Sequence, residues 1–238
     1  MVARSGGDAR FALNLLEASA GLAGDGPITT VVVERAGGRA VVYDKGGDQH
    51  YNVISAFIKS MRASDPDATL YWLAKMLYAG EDIRFISRRI VIAASEDVGL
   101  ADSNALRVAM AAHQAAEFVG MPEARIPLAH AAVYIATAPK SNRAYAGINA
   151  ALEDIKTGRT LPVPQHLRDG HYAGAKQFGH GEGYLYPHDY EDGFVPQRCI
   201  EGGRTYYEPT THGLEARIKE RLDYWRTQWD AQKSPPAP

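Results

Sequence analysis

The chain holds one cysteine, Cys199, in 238 residues. An intramolecular disulfide is therefore excluded, and the usage fits a reducing cytosol. No nucleophile signature surrounds Cys199, so it reads as a small buried or half-exposed side chain. No apolar run approaches the roughly 18 residues of a membrane-spanning helix. The amino terminus, MVARSGGDAR, leads into polar, glycine-rich sequence without the apolar core of a signal peptide. A cytoplasmic protein with no membrane partner is expected. There is no Gly-Lys dipeptide anywhere. A phosphate-binding loop, G-x-x-x-x-G-K-[ST], is thus missing, because its lysine and backbone N–H groups must cradle phosphates together. No Asp-Glu pair ends an apolar strand to hold magnesium and polarise water. Nucleotide hydrolysis by this chain is not expected, and neither a catalytic residue nor a resident cofactor is assigned to it. Excess charge is lacking too. The net value is −2, so any nucleic-acid contact must come from a local basic patch.

What is present is helix after helix through the first two thirds. Asp8 caps an expected helix with Leu13, Leu16 and Ala20 inward, followed by GLAGDGP. A short helix from about Thr29 ends at Gly37-Gly38, and residues 39–48 read as an extended linker with a turn. The next helix starts near Asp48, with Tyr51, Ile54, Ile58 and Met61 on one face. Asp65-Pro66 opens another, a capping aspartate before a proline whose missing N–H costs nothing at the first helical position. Leu70, Leu73 and Leu77 form its stripe and Gly80 stops it. Ile83, Ile86, Ile90 and Ala93 make the following stripe. Leu106, Met110, His113 and Glu117 share a face of a helix ending at Gly120. Pro127 begins another expected helix, LAHAAVYIA, that stops near Pro139. Ser141 caps the last of the run, with Tyr145, Ile148, Leu152 and Ile155 inward and Gly158 as its end.

Composition changes at Gly158. Residues 158–213 carry 5 of the 8 histidines and 6 of the 13 tyrosines, with many glycines and prolines. No helical period is sustained, so an ordered but irregular segment, with room for short strands, is expected. Thr211 then caps a final helix bearing Leu214, Ile218, Leu222, Trp225 and Trp229, and the tail KSPPAP is expected to fray.

Basic residues cluster at Lys59 and Arg62, and at Arg84, Arg88 and Arg89. Arg84 and Arg88 share a helical stripe, as phosphate contacts would require. A solvated face paired with Glu81 and Asp82 is the favoured reading of them. His166, His171, His180 and His188, with Asp189, invite a metal reading, but their spacings match no standard zinc site and no metal is assigned. GHGEG (179–183) is a weak phosphate-loop signal. His113 and Glu117 read as a hydrogen-bonded pair rather than an acid–base dyad. Tyr184, Tyr186 and Tyr190 can stack bases or simply pack an irregular segment. Apolar residues beyond single stripes, Phe57, Trp72 and Phe85 among them, must be covered by a neighbouring helix or another subunit.

SGGDARFALNLLE (5–17) resembles the sensor-2 motif of clamp-loader-type AAA+ proteins, with Gly7, Asp8 and Arg10 followed by Leu13-Asn14. By itself Arg10 reads as a solvated arginine. Residues 64–102, 120–145, 166–197 and 206–222 are similar, in order, to successive blocks of the MgsA/RarA family, whose eukaryotic relatives are the Werner-helicase-interacting ATPases. The resemblance implies a mainly α fold, with a helical clamp-loader-like collar, an irregular Gly/Tyr/His-rich segment and a final helix. It divides the chain into the tail of an AAA+ lid with the sensor-2-like helix (1–26), a short helix and linker (27–46), an oligomerisation collar (47–157) and a carboxy-terminal region (158–238). It implies that the parent is a DNA-dependent ATPase using ATP and magnesium, with Arg10 reaching the γ-phosphate. Homotetramers acting at stalled forks and in recombination are implied as well, with single-stranded-DNA-binding protein as a candidate partner. Only the tail of the lid precedes the collar, with Met1 just ahead of it, so a cut piece or a wrongly chosen start is expected. Two other readings stay open: a stand-alone hydrolase using residues 166–189, and a basic-helix DNA-binding module.

Overall fold

The computed structural model describes the backbone of residues 9–39, 48–171, 175–200, 202 and 204–231, and side chains over 12–36, 51–171, 177–200, 202 and 204–231. Gly7, Asp8, the side chain of Arg10, most of the 39–48 linker and the KSPPAP tail lie outside the described residues. Among those described, the fold is helical and has no strand. It divides into two compact units. The first runs to Ala94 and adds Asn104–Ala138; the second joins Ser95–Ser103 to the chain from Pro139 onward.

The first unit contains α1 (Ala9–Ala23), α2 (Thr30–Arg39), α3 (Asp48–Arg62), α4 (Pro66–Tyr78), α5 (Ile83–Ala93), α6 (Asn104–Val119) and α7 (Arg125–Thr137). Local chemistry sets the boundaries. Asp65 Oδ1 accepts the Ala68 amide at 2.9 Å with Pro66 in the first turn, as the Asp-Pro pair predicts. Gly80, at φ 72°, closes α4, while the Glu81 amide returns to the Met76 carbonyl at 3.0 Å. Helices α1 and α2 pack on each other. Helix α7 lies against α3, α4, α5 and α6, which is why it is apolar round most of its circumference, with Leu128, Ala131, Ala132, Ile135 and Ala136 buried. Phe57, Met61, Leu73, Met76, Ile86 and Ile90 fill the same core. Each large side chain buried there contributes about 1.5–3 kcal/mol on leaving water.

Several inward faces differ from the sequence reading. In α1 the buried residues are Leu15 and Ser19, while Leu13, Leu16 and Ala20 are exposed. In α3 the stripe is Val53, Ile54, Phe57 and Met61, leaving Tyr51 exposed. In α4 it is Thr69, Leu73 and Met76, with Leu70 exposed. Helix α6 buries only alanines, Ala105, Ala109, Ala112 and Ala116. Small side chains let α5 and α7 approach closely, and the larger Leu106 and Met110 turn outward.

The second unit starts with a π turn (Ala94–Val98) and a 3₁₀ turn (Gly99–Ala101), and continues with α8 (Arg143–Lys156), an irregular stretch of 3₁₀ turns, and α9 (Glu215–Ala231). The Ser141 hydroxyl accepts the Arg143 amide at 3.3 Å, although Asn142 is the capping residue. The expected inward stripe of α8, Tyr145, Ile148, Leu152 and Ile155, is exposed. Its buried residues are Gly147 and Asp154. Residues 204–210 cross that face so closely that a Cβ on Gly147 would lie 2.7 Å from the Tyr206 carbonyl oxygen. The final helix begins at Glu215 rather than at a Thr211 cap, with the Glu215 amide bonded to the His212 carbonyl at 3.1 Å.

Candidate functional site

The predicted basic residues divide by what their guanidinium groups touch. Lys59 and Arg62 are exposed in the last turn of α3. Asp82 caps α5 by accepting the Arg84 amide at 2.9 Å. The Arg84 side chain reaches across to α6, where Nε meets Glu117 Oε1 at 2.7 Å. The second oxygen of Glu117 stands 3.7 Å from His113 Nε2, within ion-pair range. His113 Nδ1 is 2.9 Å from Ser87 Oγ, and that hydroxyl donates to the Arg84 carbonyl at 3.0 Å. Ser87 is buried, and its single hydroxyl proton is shared between the Arg84 carbonyl and His113 Nδ1. This arrangement braces α5 on α6; it does not activate a nucleophile. Arg88 and Arg89 lie over the Phe85 ring at 5.7 and 4.8 Å. Most of the basic stripe is thus partnered locally by a carboxylate or an aromatic face.

The expected assembly residues also separate. Phe57 is fully buried in the core of the first unit and offers no surface to a partner. Its extra apolar bulk, read as a second face, sits in the middle of the true stripe of α3. Trp72 is half-buried, edge-on to Tyr71 with Lys75 Nζ 5.4 Å from its centroid. Phe85 is half-buried beneath its arginines. A larger apolar surface escaped the sequence reading. Helix α4 and the start of α7 flank a groove of about 740 Å³ lined by Leu70, Leu77, Tyr78, Met121 and Ile126. Tyr78 is 66% exposed and Ile126 61%, and Phe118, at the end of α6, is 91% exposed. The run FVGMP around Gly120 was the available signal: apolar residues on both sides of a helix stop have no helical face to pack.

In the second unit, two buried carboxylates hold the irregular stretch. Asp154 Oδ2 accepts the Tyr206 hydroxyl at 2.8 Å and lies 3.3 Å from Arg204 Nε. That hydrogen bond, followed by burial, raises the Tyr206 phenol above its usual range. Glu215 is fully buried. It accepts the Thr210 amide and hydroxyl, each at 2.7 Å, and the Tyr207 hydroxyl at 3.0 Å. Burial pushes its carboxyl up, but the bonds from Thr210, Ser141 and Tyr207 outweigh burial and hold it below the usual range. Burial, then the bond to Glu215, pushes Tyr207 up to about 12.

The histidines of 166–189 go to separate partners. His166 Nε2 contacts the Arg198 carbonyl at 3.1 Å, His171 pairs with Asp169 at 2.8 Å, and His188 packs on Tyr186. Among the described residues no three His, Cys, Asp or Glu side chains converge on one ion, and no helix is long and apolar enough to cross a membrane.

Comparison with known families gives the class of the chain, the carboxy-terminal part of an AAA+ ATPase. The profile described as MgsA AAA+ ATPase C terminal matches residues 63–226, and the one described as AAA C-terminal domain matches residues 1–62. The chain belongs to the MgsA AAA+ ATPase C-terminal family. It is 50% identical over 232 residues to an uncharacterized AAA domain-containing protein of Mycobacterium tuberculosis, covering 95% of this chain and 51% of that protein. It is 43% identical over 229 residues to replication-associated recombination protein A of Bacillus subtilis, covering 92% of this chain and 54% of that protein. Against ATPase WRNIP1 of Dictyostelium discoideum it is 45% identical over 153 residues, 64% of this chain and 18% of that protein. The chain spans about half the length of the bacterial relatives it matches.

Proposed function

We propose that this chain is the oligomerisation and regulatory region of a DNA-dependent AAA+ ATPase that maintains replication forks and takes part in recombination. On this reading residues 1–26 are the end of the ATPase lid, 27–46 a connecting helix and linker, 47–157 a collar joining four subunits, and 158–238 a carboxy-terminal region. ATP and magnesium belong to the rest of the parent protein, with Arg10 as the residue that senses the γ-phosphate; this chain alone is proposed not to hydrolyse ATP. The observation that carries the assembly role is the exposed apolar groove of Tyr78, Met121 and Ile126, in a chain matched to AAA+ carboxy-terminal families along most of its length. Patches of this kind mark interfaces, and closed symmetry lets every subunit use the same surfaces.

Light scattering of the chain at micromolar concentration is expected to give four chain masses. Ile126→Glu is expected to reduce the mass to one chain while circular dichroism keeps its helical signal. A monomer for the unmodified chain overturns the assembly role. The DNA contact has its own test. Arg84→Glu with Arg88→Glu should weaken DNA binding by the longer parent protein about tenfold or more at low salt, since each reversed charge removes a phosphate contact. Unchanged affinity would assign those arginines wholly to Glu117 and Phe85.

A further inference from the structure

Within the second unit, Arg198, Ile200, Gly202, residues 204–207 and α9 line a cleft of about 740 Å³. That volume lies within the range of small-molecule sites. Three arginines line it: Arg198, Arg204 and Arg226. Each is held in place. Arg198 Nη2 meets Asp230 Oδ1 at 2.5 Å, Arg226 Nη2 donates to the Tyr207 carbonyl at 2.7 Å, and Arg204 Nη2 donates to the Ala150 carbonyl at 3.2 Å. A guanidinium carries five N–H donors, so these anchors leave donors for a ligand. The side chains are 40%, 46% and 32% exposed for Arg198, Arg204 and Arg226, fixed yet open. Asp230, Asp154 and Asp223 stand 2.5, 3.3 and 4.0 Å from Arg198, Arg204 and Arg226, so each cation is matched by a carboxylate and a ligand would be met by the guanidinium donors left over rather than by a net field. Tyr206, Tyr207 and Trp229 share the remaining walls with Ile200, Thr205 and Leu222. Tyr206 lies under Arg204 at 5.6 Å, and Trp229 packs near Phe194 at 6.2 Å. The indole Nε1 of Trp229 is buried without a hydrogen-bond partner.

Fixed guanidinium forks suit phosphate, and aromatic rings suit a planar base. We propose that this cleft binds a nucleotide unit, phosphate on the arginines and base against Tyr206 and Trp229, either as a free nucleotide or as one residue of a single-stranded chain. The site shares no residue with the α3 and α5 stripe. It does not depend on the assembly reading: solution mass decides that one, and the titration below decides this one.

The test is fluorescence anisotropy of a labelled oligothymidylate titrated with the 238-residue chain, with thymidine monophosphate, inorganic phosphate and oligoglutamate as competitors. Saturable binding of the oligomer is expected. Displacement by thymidine monophosphate assigns the free nucleotide; displacement only by unlabelled oligomer assigns the strand. Arg198→Glu should weaken binding at least tenfold, and the salt slope should fall by about 0.7 for one lost phosphate contact on a single strand. Asp230→Asn removes the anion at the lip and should tighten binding severalfold, an effect that misfolding does not produce. The proposal is overturned if neither oligomer nor mononucleotide binds, or if both variants bind like the parent chain. It is also overturned if phosphate or oligoglutamate displaces the oligomer as well as thymidine monophosphate does, which would make the cleft a general anion or acidic-peptide site.

Discussion

Glu215→Ala is expected to lower the stability of the second unit by about 3 kcal/mol, the net of two opposed effects. Removing a carboxylate from a fully buried position relieves its desolvation cost. It also orphans the Thr210 amide, the Thr210 hydroxyl and the Tyr207 hydroxyl, which all donate to it. A buried donor left without an acceptor costs about 1–3 kcal/mol. The direction of the carboxyl shift shows which effect wins: the donors hold Glu215 ionised despite burial. Glu215→Gln keeps one acceptor oxygen but turns an NH₂ group toward donors, so it should lose about half as much. Urea unfolding followed by tryptophan fluorescence, with Trp225 and Trp229 on α9, reads the change; a loss below about 1 kcal/mol for Ala would show that the latch contributes little.

The same pair fixes the pH window. A carboxyl whose folded value is depressed stabilises the fold above its ordinary value of 4.5, and that contribution is lost as pH falls through the lower folded value. A phenol raised from 10 to about 12 stabilises below 10, and its contribution disappears as pH climbs toward 12. Glu215→Gln should therefore flatten the acid limb. Tyr207→Phe should flatten the alkaline limb.

Helix ends were legible because capping and stopping use local chemistry. Asp65-Pro66, Gly80, Gly120 and Gly158 each stand where a helix begins or ends. Helix faces were less legible, because a face is chosen by whatever lies against it. The sequence of α8 suggests that Tyr145, Ile148, Leu152 and Ile155 point inward, yet the packed side is Gly147 and Asp154. A buried aspartate looks like a surface residue until Tyr206 and Arg204, about fifty positions further on, are seen to satisfy it. For α6 the misleading rule was size, since alanines took the close contacts and the leucine went out. The basic stripe on α5 was found by spacing, but its partner Glu117 lies on another helix. The arginine cleft combines residues on both sides of α9's start that no local motif links.

Gly213→Ala is expected to be as damaging as the loss of Glu215, for a reason of space rather than charge. Gly213 sits at φ 51°, where an alanine costs about 1–2 kcal/mol from its own backbone. Here a Cβ would also overlap the Ala101 carbonyl oxygen and lie 2.9 Å from Pro139 Cγ. The oxygen belongs to backbone, so no rotamer change relieves the clash. The turn must move away, and two bonds beside it stretch or break: Leu214 amide to Ala101 carbonyl, and His212 Nδ1 to Lys140 carbonyl, each 2.8 Å. Adding about 1 kcal/mol for each bond gives a loss of about 3–4 kcal/mol. Gly80 supplies the control, with φ 72° and no atom within 4 Å of the place a Cβ would take. Gly80→Ala should cost only the backbone part, about 1–2 kcal/mol. Parallel urea titrations of the two variants decide the matter. Equal losses at both positions would mean that the close approach of residues 212–214 to Ala101 does not help hold the second unit together.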